Sequence, residues 1–272
     1  FAPAGMTVRT SSGALTASTA GSAANRLDRL LARFRREAQV LALIGQSSRT
    51  PHIVSVIDQW EERGTAYYAM NWIDATGTWP LSQECALVSP ERGSRIERHA
   101  FELLEALEEV HRHGFACHGD LKPDNILLDR RDRTVLIDFG TVRNDRDLAQ
   151  SVATVLYTPG WAPPELQSST LIRDAGPWSD LYTWALLVWG AARPHPTFRE
   201  REDTGERIPW PLEARERLMV QQTRGAGHDP YGDPRSLTEI GVPLRWAQLL
   251  CWCLDVDPGR RDAFRAALAE DD

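Results

Sequence analysis

Apolar residues recur at helical spacing from Asn25 onward. Leu27, Leu30, Leu31, Phe34, Ala38, Leu41 and Ile44 share one face, and Gly45 follows as a stop signal, so a helix is expected over about 25–44. Two runs rich in β-branched and aromatic residues come next, Ile53–Trp60 and Thr65–Trp72. Glu61-Glu62-Arg63-Gly64 joins them, which predicts a hairpin. A second amphipathic helix is expected from Ser94 to His113, with Ile96, Ala100, Leu103, Leu104, Leu107 and Val110 on one face. Ile126–Leu128 and Val135–Ile137 read as short strands. Leu181–Trp189 reads as an apolar core helix and Leu244–Leu254 as a last buried one. Between these elements the pattern is weaker. Residues 1–23, rich in Ala, Ser, Thr and Gly, form either a linker or two weak strands around a turn at Ser11-Ser12-Gly13. Ala75–Pro80 marks a change of character. Residues 194–242 carry many charges, Pro and Gly, and read as long loops with one helix near Leu212–Gln222. No internal repeat of fixed period is present.

Composition narrows the function classes. The net charge of −7 argues against a general nucleic-acid-binding surface, which needs a basic face. The apolar run Leu181–Ala192 is too short to span a bilayer, and Phe1 to Gly21 lacks the basic and apolar regions of a signal peptide. Cys85, Cys117, Cys251 and Cys253 show no zinc or redox spacing and read as plain thiols of a reducing, cytoplasmic setting. His111 and His113 are two apart on a helix and face different directions, so His111 reads as helix-core packing. Trp189, Trp246 and Trp252 read as core of the helical portion, and Trp210 as a partner-contact candidate.

The chemistry is concentrated in His118-Gly119-Asp120-Leu121-Lys122-Pro123-Asp124-Asn125, followed by Asp138-Phe139-Gly140 and by Thr158-Pro159-Gly160-Trp161-Ala162-Pro163-Pro164-Glu165. An isolated Asp-Phe-Gly is an ordinary turn, but this order at this spacing is specific. It resembles the catalytic loop, magnesium loop and activation segment of the protein kinase superfamily, over residues 4–268 and most strongly from Glu37 onward. The resemblance implies an α+β, bilobal kinase-like fold. Residues 1–74 would be a truncated or atypical small β-rich lobe, with helix C over about 25–44 and a hinge over 71–74. Residues 75–272 would be the larger, mainly helical lobe. It implies a serine/threonine protein kinase that uses ATP and Mg²⁺ and acts on, or is regulated by, another protein.

The same resemblance assigns roles. Asp120 would accept or orient the proton of the acceptor hydroxyl, and Lys122 would approach the transferring phosphate. Asn125 and Asp138 would hold Mg²⁺, which prefers hard oxygen donors. Gly140 would let the chain turn sharply after Asp138. Thr158 would touch Asp120 and Lys122, and Glu165 would pair with Arg261. Asp180 would tie down the catalytic loop. Met70 would be the gatekeeper, with Asn71, Trp72 and Ile73 as the adenine-binding hinge and Leu127 beneath adenine. Leu41, Val56, His118 and Phe139 would stack as a spine between lobes.

Two departures stand out. Glu37 matches the helix-C glutamate, whose usual partner is a lysine on a small-lobe strand, yet Lys122 is the only lysine in the chain. Counting back from Glu37 places Ser18 at that lysine's site. A second register places Arg9 there, at the cost of extra residues before the helix. Gly119 replaces the arginine that usually precedes the catalytic aspartate and pairs with a phosphorylated activation segment. Three readings follow: an active kinase, a pseudokinase serving as a nucleotide-binding or scaffolding module, and a kinase-fold transferase for small molecules.

Overall fold

The computed structural model describes residues 7–9, 15–17, 22–48, 50–79, 90–145, 148, 157–158, 160–168, 170–192, 198–200, 207–209, 244–255 and 257–262. Strands β1 (Thr7–Arg9) and β2 (Leu15–Ala17) pair antiparallel, with Arg9 opposite Leu15. The weak strands, rather than the linker, are therefore formed. Ser18 lies outside the described residues.

Helix α1 (Ser22–Ser47) starts before the expected boundary and runs through Gly45. One exposed glycine costs a helix only about 1 kcal/mol, and Leu31, Ala38, Leu41 and Ile44 bury the stripe on the turns before it. Ser47 Oγ, 2.9 Å from His113 Nε2, fastens the last turn. Strands β3 (Val56–Glu62) and β4 (Thr65–Met70) form the foreseen hairpin, but the turn is only Arg63-Gly64. Both residues have positive φ, 51° and 73°, the backbone twist that matches two flanking strands.

A segment that the sequence pattern left without structure forms strand β5 (Ala75–Thr78). It lies beside β6 (Ile126–Asp129), which also pairs with β7 (Thr134–Leu136). Trp79, 1% exposed, follows it, and its indole N–H donates to Leu187 O at 3.1 Å. Helix α2 (Pro90–Arg112) packs on helix α3 (Pro177–Ala192), where Trp184 Nε1 donates to Ala100 O at 2.9 Å. Helix α3 is apolar nearly all round, as a helix buried on every side must be. It begins earlier than expected because Pro177 suits the first turn, where a missing N–H costs nothing.

Strands β8 (Phe198–Glu200) and β9 (Arg207–Pro209) form a small hairpin inside the loop-rich stretch. The helix expected near Leu212–Gln222 lies outside the described residues, as do Trp210 and Cys85. Helix α4 (Leu244–Cys253) buries Trp246, Ala247, Leu250 and Cys253, but Trp252 is 50% exposed. The reading of Trp252 as core is thus corrected, since it falls off the buried stripe. Cys117, Cys251 and Cys253 are buried thiols, none of them in a disulfide.

The result is an α+β architecture of two portions, a small one of strands around α1 and a larger, mainly helical one. One hydrophobic core runs through both. Leu41 and Ile44 of α1, with Ile53 and Val54, join Leu136, Phe139 and the α2 and α3 faces. Val54 N donates to Leu136 O at 3.1 Å and Leu136 N to His52 O at 2.8 Å, so the connection is also a hydrogen-bonded one. Among the described residues no helix is long and apolar enough to cross a membrane.

Candidate active site

Helix α3 enters the site through Asp180 on its first turn. Its carboxylate, 1% exposed, accepts the backbone N–H of His118 at 2.8 Å and of Gly119 at 3.1 Å. A carboxylate is favoured at a helix N-terminus, where the peptide dipoles present positive charge. His111 Nε2 lies 2.8 Å from the same Asp180 oxygen. His111 is therefore a polar support of the loop rather than the core-packing residue expected from its helix position.

Gly119 has φ +83°, and a Cβ there would lie 3.2 Å from Thr141 O. Both the left-handed backbone and the close approach require glycine. The absent arginine side chain is thus accompanied by a backbone that an L side chain would strain.

Beyond Gly119 three side chains converge. Lys122 Nζ donates to Asp120 Oδ2 at 2.7 Å and to Thr158 Oγ1 at 3.1 Å, while Thr158 Oγ1 donates to Asp120 Oδ1 at 2.6 Å. Each carboxylate oxygen has its own donor, so the aspartate is fixed in rotation. Burial alone would raise the Asp120 pKa. The hydrogen bonds from Lys122 and Thr158 outweigh it and hold the carboxyl below its usual range. Asn125 Nδ2 donates to Asp120 O at 2.8 Å, which turns its amide oxygen away from that carbonyl.

The chain returns beside Asn125, where Ile137 N donates to Asn125 O at 2.9 Å. Asp138 follows with φ +63°, a left-handed conformation that is uncommon outside glycine. The sharp feature of this loop is therefore at Asp138. Gly140 has no such φ, and the expectation that its freedom makes the turn is corrected. Gly140 instead leaves room for a neighbour, because a Cβ there would lie 3.3 Å from both Nε and Nη2 of Arg33. Asp138 Oδ1 accepts Gly140 N–H at 3.2 Å. Asn125 and Asp138 thus offer an amide oxygen and an exposed carboxylate on adjoining segments, hard oxygen donors of the kind Mg²⁺ takes. The residues present fit that ion. Among the described residues no cluster of three His, Cys, Asp or Glu suggests another metal centre.

Phe139 is 1% exposed and meets His118 edge-on, with ring centroids 5.1 Å apart. Burial lowers the His118 pKa, so the imidazole is kept neutral. Leu41, Val56 and Phe139 belong to the one continuous core, against which His118 stacks through this ring contact.

Glu37 reaches this loop from α1. Its carboxylate accepts Phe139 N–H at 3.3 Å and a hydrogen bond from the Tyr68 hydroxyl. Burial first, then the nearby Asp138 charge, push its pKa up. Arg33, one turn earlier on α1, donates from Nε to Gly140 O at 2.7 Å. Neither Arg33 nor Tyr68 stood out in the sequence. Arg33 sits among many arginines, and Tyr68 is one of a strand's ordinary aromatics.

The expected hinge leaves β4 at Met70, which is 47% exposed. Asn71 N donates to Ser55 O at 2.9 Å, and Trp72 is 90% exposed. Leu127 lies mid-strand in β6, half-buried, between Thr78 of β5 and Val135 of β7. Below the site, Arg261 Nη2 donates to both oxygens of Glu165 at 2.9 and 2.8 Å, with the two side chains 0% and 2% exposed.

The chain is similar to known proteins over most of its length. The family model described as the protein kinase domain matches residues 8–271. The DNA damage-responsive serine/threonine-protein kinase RqkA of Deinococcus radiodurans is 31% identical over 245 residues, 87% of this chain and 32% of that protein. The serine/threonine-protein kinase PknD of Mycobacterium tuberculosis is 30% identical over 232 residues, 85% of this chain and 31% of that protein. The serine/threonine-protein kinase STE20 of Candida glabrata is 25% identical, with 84% and 23% covered. The chain thus spans less than a third of the length of these relatives. Among solved structures, the apo form of PpkA-294 superposes with a TM-score of 0.56 at 22% identity, covering 98% of this chain and 84% of that one, which supports the fold.

Proposed function

This chain belongs to the protein kinase domain family, and from that membership we propose that it moves the γ-phosphate of ATP to a serine or threonine hydroxyl of a protein substrate. The observation that carries the proposal is the closed triangle of Asp120, Lys122 and Thr158. In this reading Asp120, held ionised and fixed in rotation, orients the acceptor hydroxyl and takes its proton as the oxygen bonds to phosphorus and the bond to the departing ADP breaks. Lys122 neutralises charge on the transferring group. Phosphoryl transfer needs positioning and charge neutralisation more than covalent help from the protein. Asn125 and Asp138 would hold Mg²⁺, which when bound supplies neutralising charge to the phosphate oxygens. Met70, Asn71, Trp72 and Leu127 would frame the adenine. Residues 1–74 act as the small lobe, with 71–74 the hinge, and residues 75–272 as the large lobe. The setting is cytoplasmic.

A second reading has one specific observation behind it. Lys122, the only lysine in these residues, is engaged at Asp120, so no other lysine of these residues is at hand for Glu37. A pseudokinase that binds nucleotide or a partner without transfer would fit that loss.

One sample separates the two. Thermal stability is measured across Mg²⁺ and ATP concentrations, and transfer of labelled phosphate is followed to the chain itself and to a generic Ser/Thr substrate, with Asp120→Ala as control. Transfer that disappears in the control supports the phosphotransferase. Stabilisation by nucleotide without transfer supports the pseudokinase and overturns the first reading.

A further inference from the structure

Helix α1 grips the Asp-Phe-Gly loop through the backbone of two successive residues. Glu37 and Arg33 are four apart, so their side chains leave the helix on one face, one turn from each other. Glu37 accepts the N–H of Phe139 at 3.3 Å, and Arg33 donates to the carbonyl of Gly140 at 2.7 Å. The guanidinium lies over Gly140 so closely that a Cβ would meet it at 3.3 Å. From the other side the Tyr68 hydroxyl hydrogen-bonds Glu37, and Phe34 packs on the Tyr68 ring with centroids 4.9 Å apart.

We propose that Arg33 and Tyr68 are positioning residues that, together with Glu37, form a two-point latch between helix α1 and the metal loop. The latch takes over the coupling that a strand lysine would provide. The activity part of this inference rests on the proposed phosphotransferase reading, whereas the structural part does not.

Three observations make the latch more than an incidental contact. Asp138 sits in a left-handed conformation that few non-glycine residues adopt, and such a conformation persists where surroundings over-determine it. The two hydrogen bonds bracket the residues immediately after it. The partner that Glu37 lacks in lysine form is supplied by a neutral phenol, which orients the carboxylate without adding charge. The helix is thereby set by the loop of the larger portion.

The test uses the whole chain with Arg33→Ala, Arg33→Lys and Tyr68→Phe. Amide hydrogen exchange without nucleotide is read at residues 139–142, with 182–188 of α3 as internal reference. The latch predicts exchange at 139–142 faster by about tenfold or more in Arg33→Ala, since a charge-assisted bond is lost. A smaller increase is expected in Tyr68→Phe, and partial recovery in Arg33→Lys, with the α3 amides unchanged. Exchange at 139–142 that stays at the wild-type rate in Arg33→Ala overturns the latch, whatever the activity. Where the wild type transfers phosphate, a positioning role lowers kcat and leaves the KM for ATP within about twofold. A raised KM with kcat preserved would make Arg33 a phosphate contact and also overturn the proposal. Wild-type chain without transfer refutes the phosphotransferase reading, while the exchange result still decides the latch.

Discussion

Arg261→Met should make the large portion far easier to unfold. The guanidinium is 0% exposed. It holds both oxygens of Glu165, donates from Nη1 to Trp178 O at 2.9 Å, and lies over the Tyr182 ring at 5.2 Å. The substitution keeps most of the buried volume but leaves the Glu165 carboxylate 2% exposed with the Ser179 hydroxyl, 2.7 Å away, as a remaining donor. Removing one partner of a buried ion pair costs about 3–5 kcal/mol. For a domain of this size that corresponds to a fall in melting temperature of about 6–20 °C, at about 2–4 °C per kcal/mol. Urea unfolding followed by tryptophan fluorescence and far-UV circular dichroism gives the free energy directly. The double variant Arg261→Met/Glu165→Leu removes both charges together and should lie closer to wild type than either single change. A single-variant cost under about 1 kcal/mol, the range of exposed pairs, would refute the reasoning. So would strict additivity in the double variant.

Three further outcomes are expected. Gly119→Ala should destabilise by about 1–2 kcal/mol and reduce transfer, because φ +83° disfavours an L side chain and Thr141 O stands 3.2 Å from the new Cβ; denaturant midpoints and initial rates check it. Asp180→Asn removes one of two acceptor oxygens, leaving a loop N–H unmatched at about 1–3 kcal/mol, and exchange at His118 and Gly119 amides should rise, with no change in either amide counting against the anchor. Stability should be full above about pH 6.5 and fall as pH drops below it. His99 and His118 are buried, and burial holds both folded pKa values below the 6.5 of an unperturbed histidine, so the unfolded chain takes up protons first. Each contributes up to about 1.4 kcal/mol per pH unit. The slope for His118→Phe should be shallower by that amount, and identical slopes would refute the assignment.

What could be read from the sequence follows from how far apart the interacting residues lie. Asp120, Lys122 and Asn125 lie in one short stretch, and its resemblance to a kinase catalytic loop marks them. Helix α2 was legible because a single repeating stripe, Ile96 to Val110, decides its buried face. Strand β5 was not, since Gly77 and two threonines carry no alternation and its pairing with β6 crosses some 50 residues. The Arg33–Gly140 bond spans 107 positions. Nothing local distinguishes Arg33 from Arg35 or Arg36, because one helical step changes which of them faces the loop. Asp138 has the same difficulty: aspartate tolerates a left-handed φ better than most residues, but residue type alone does not tell which aspartate adopts it. His111 was misread for a related reason, as its partner Asp180 lies 69 positions away.

Lys122 has a practical meaning outside phosphate chemistry. Its side chain is 22% exposed and its ammonium is tethered between Asp120 and Thr158, and no other side-chain amine exists in these residues. An acylating reagent selective for amines can therefore modify only one side chain here, and that side chain lies at the centre of the candidate site. Adduct found on the peptide that carries Lys122, apart from any on an α-amine, then reports on whether the pocket is open, covered by a ligand or closed by a partner. The chain carries its own single-point occupancy probe, with no engineered label and no assumption about substrate.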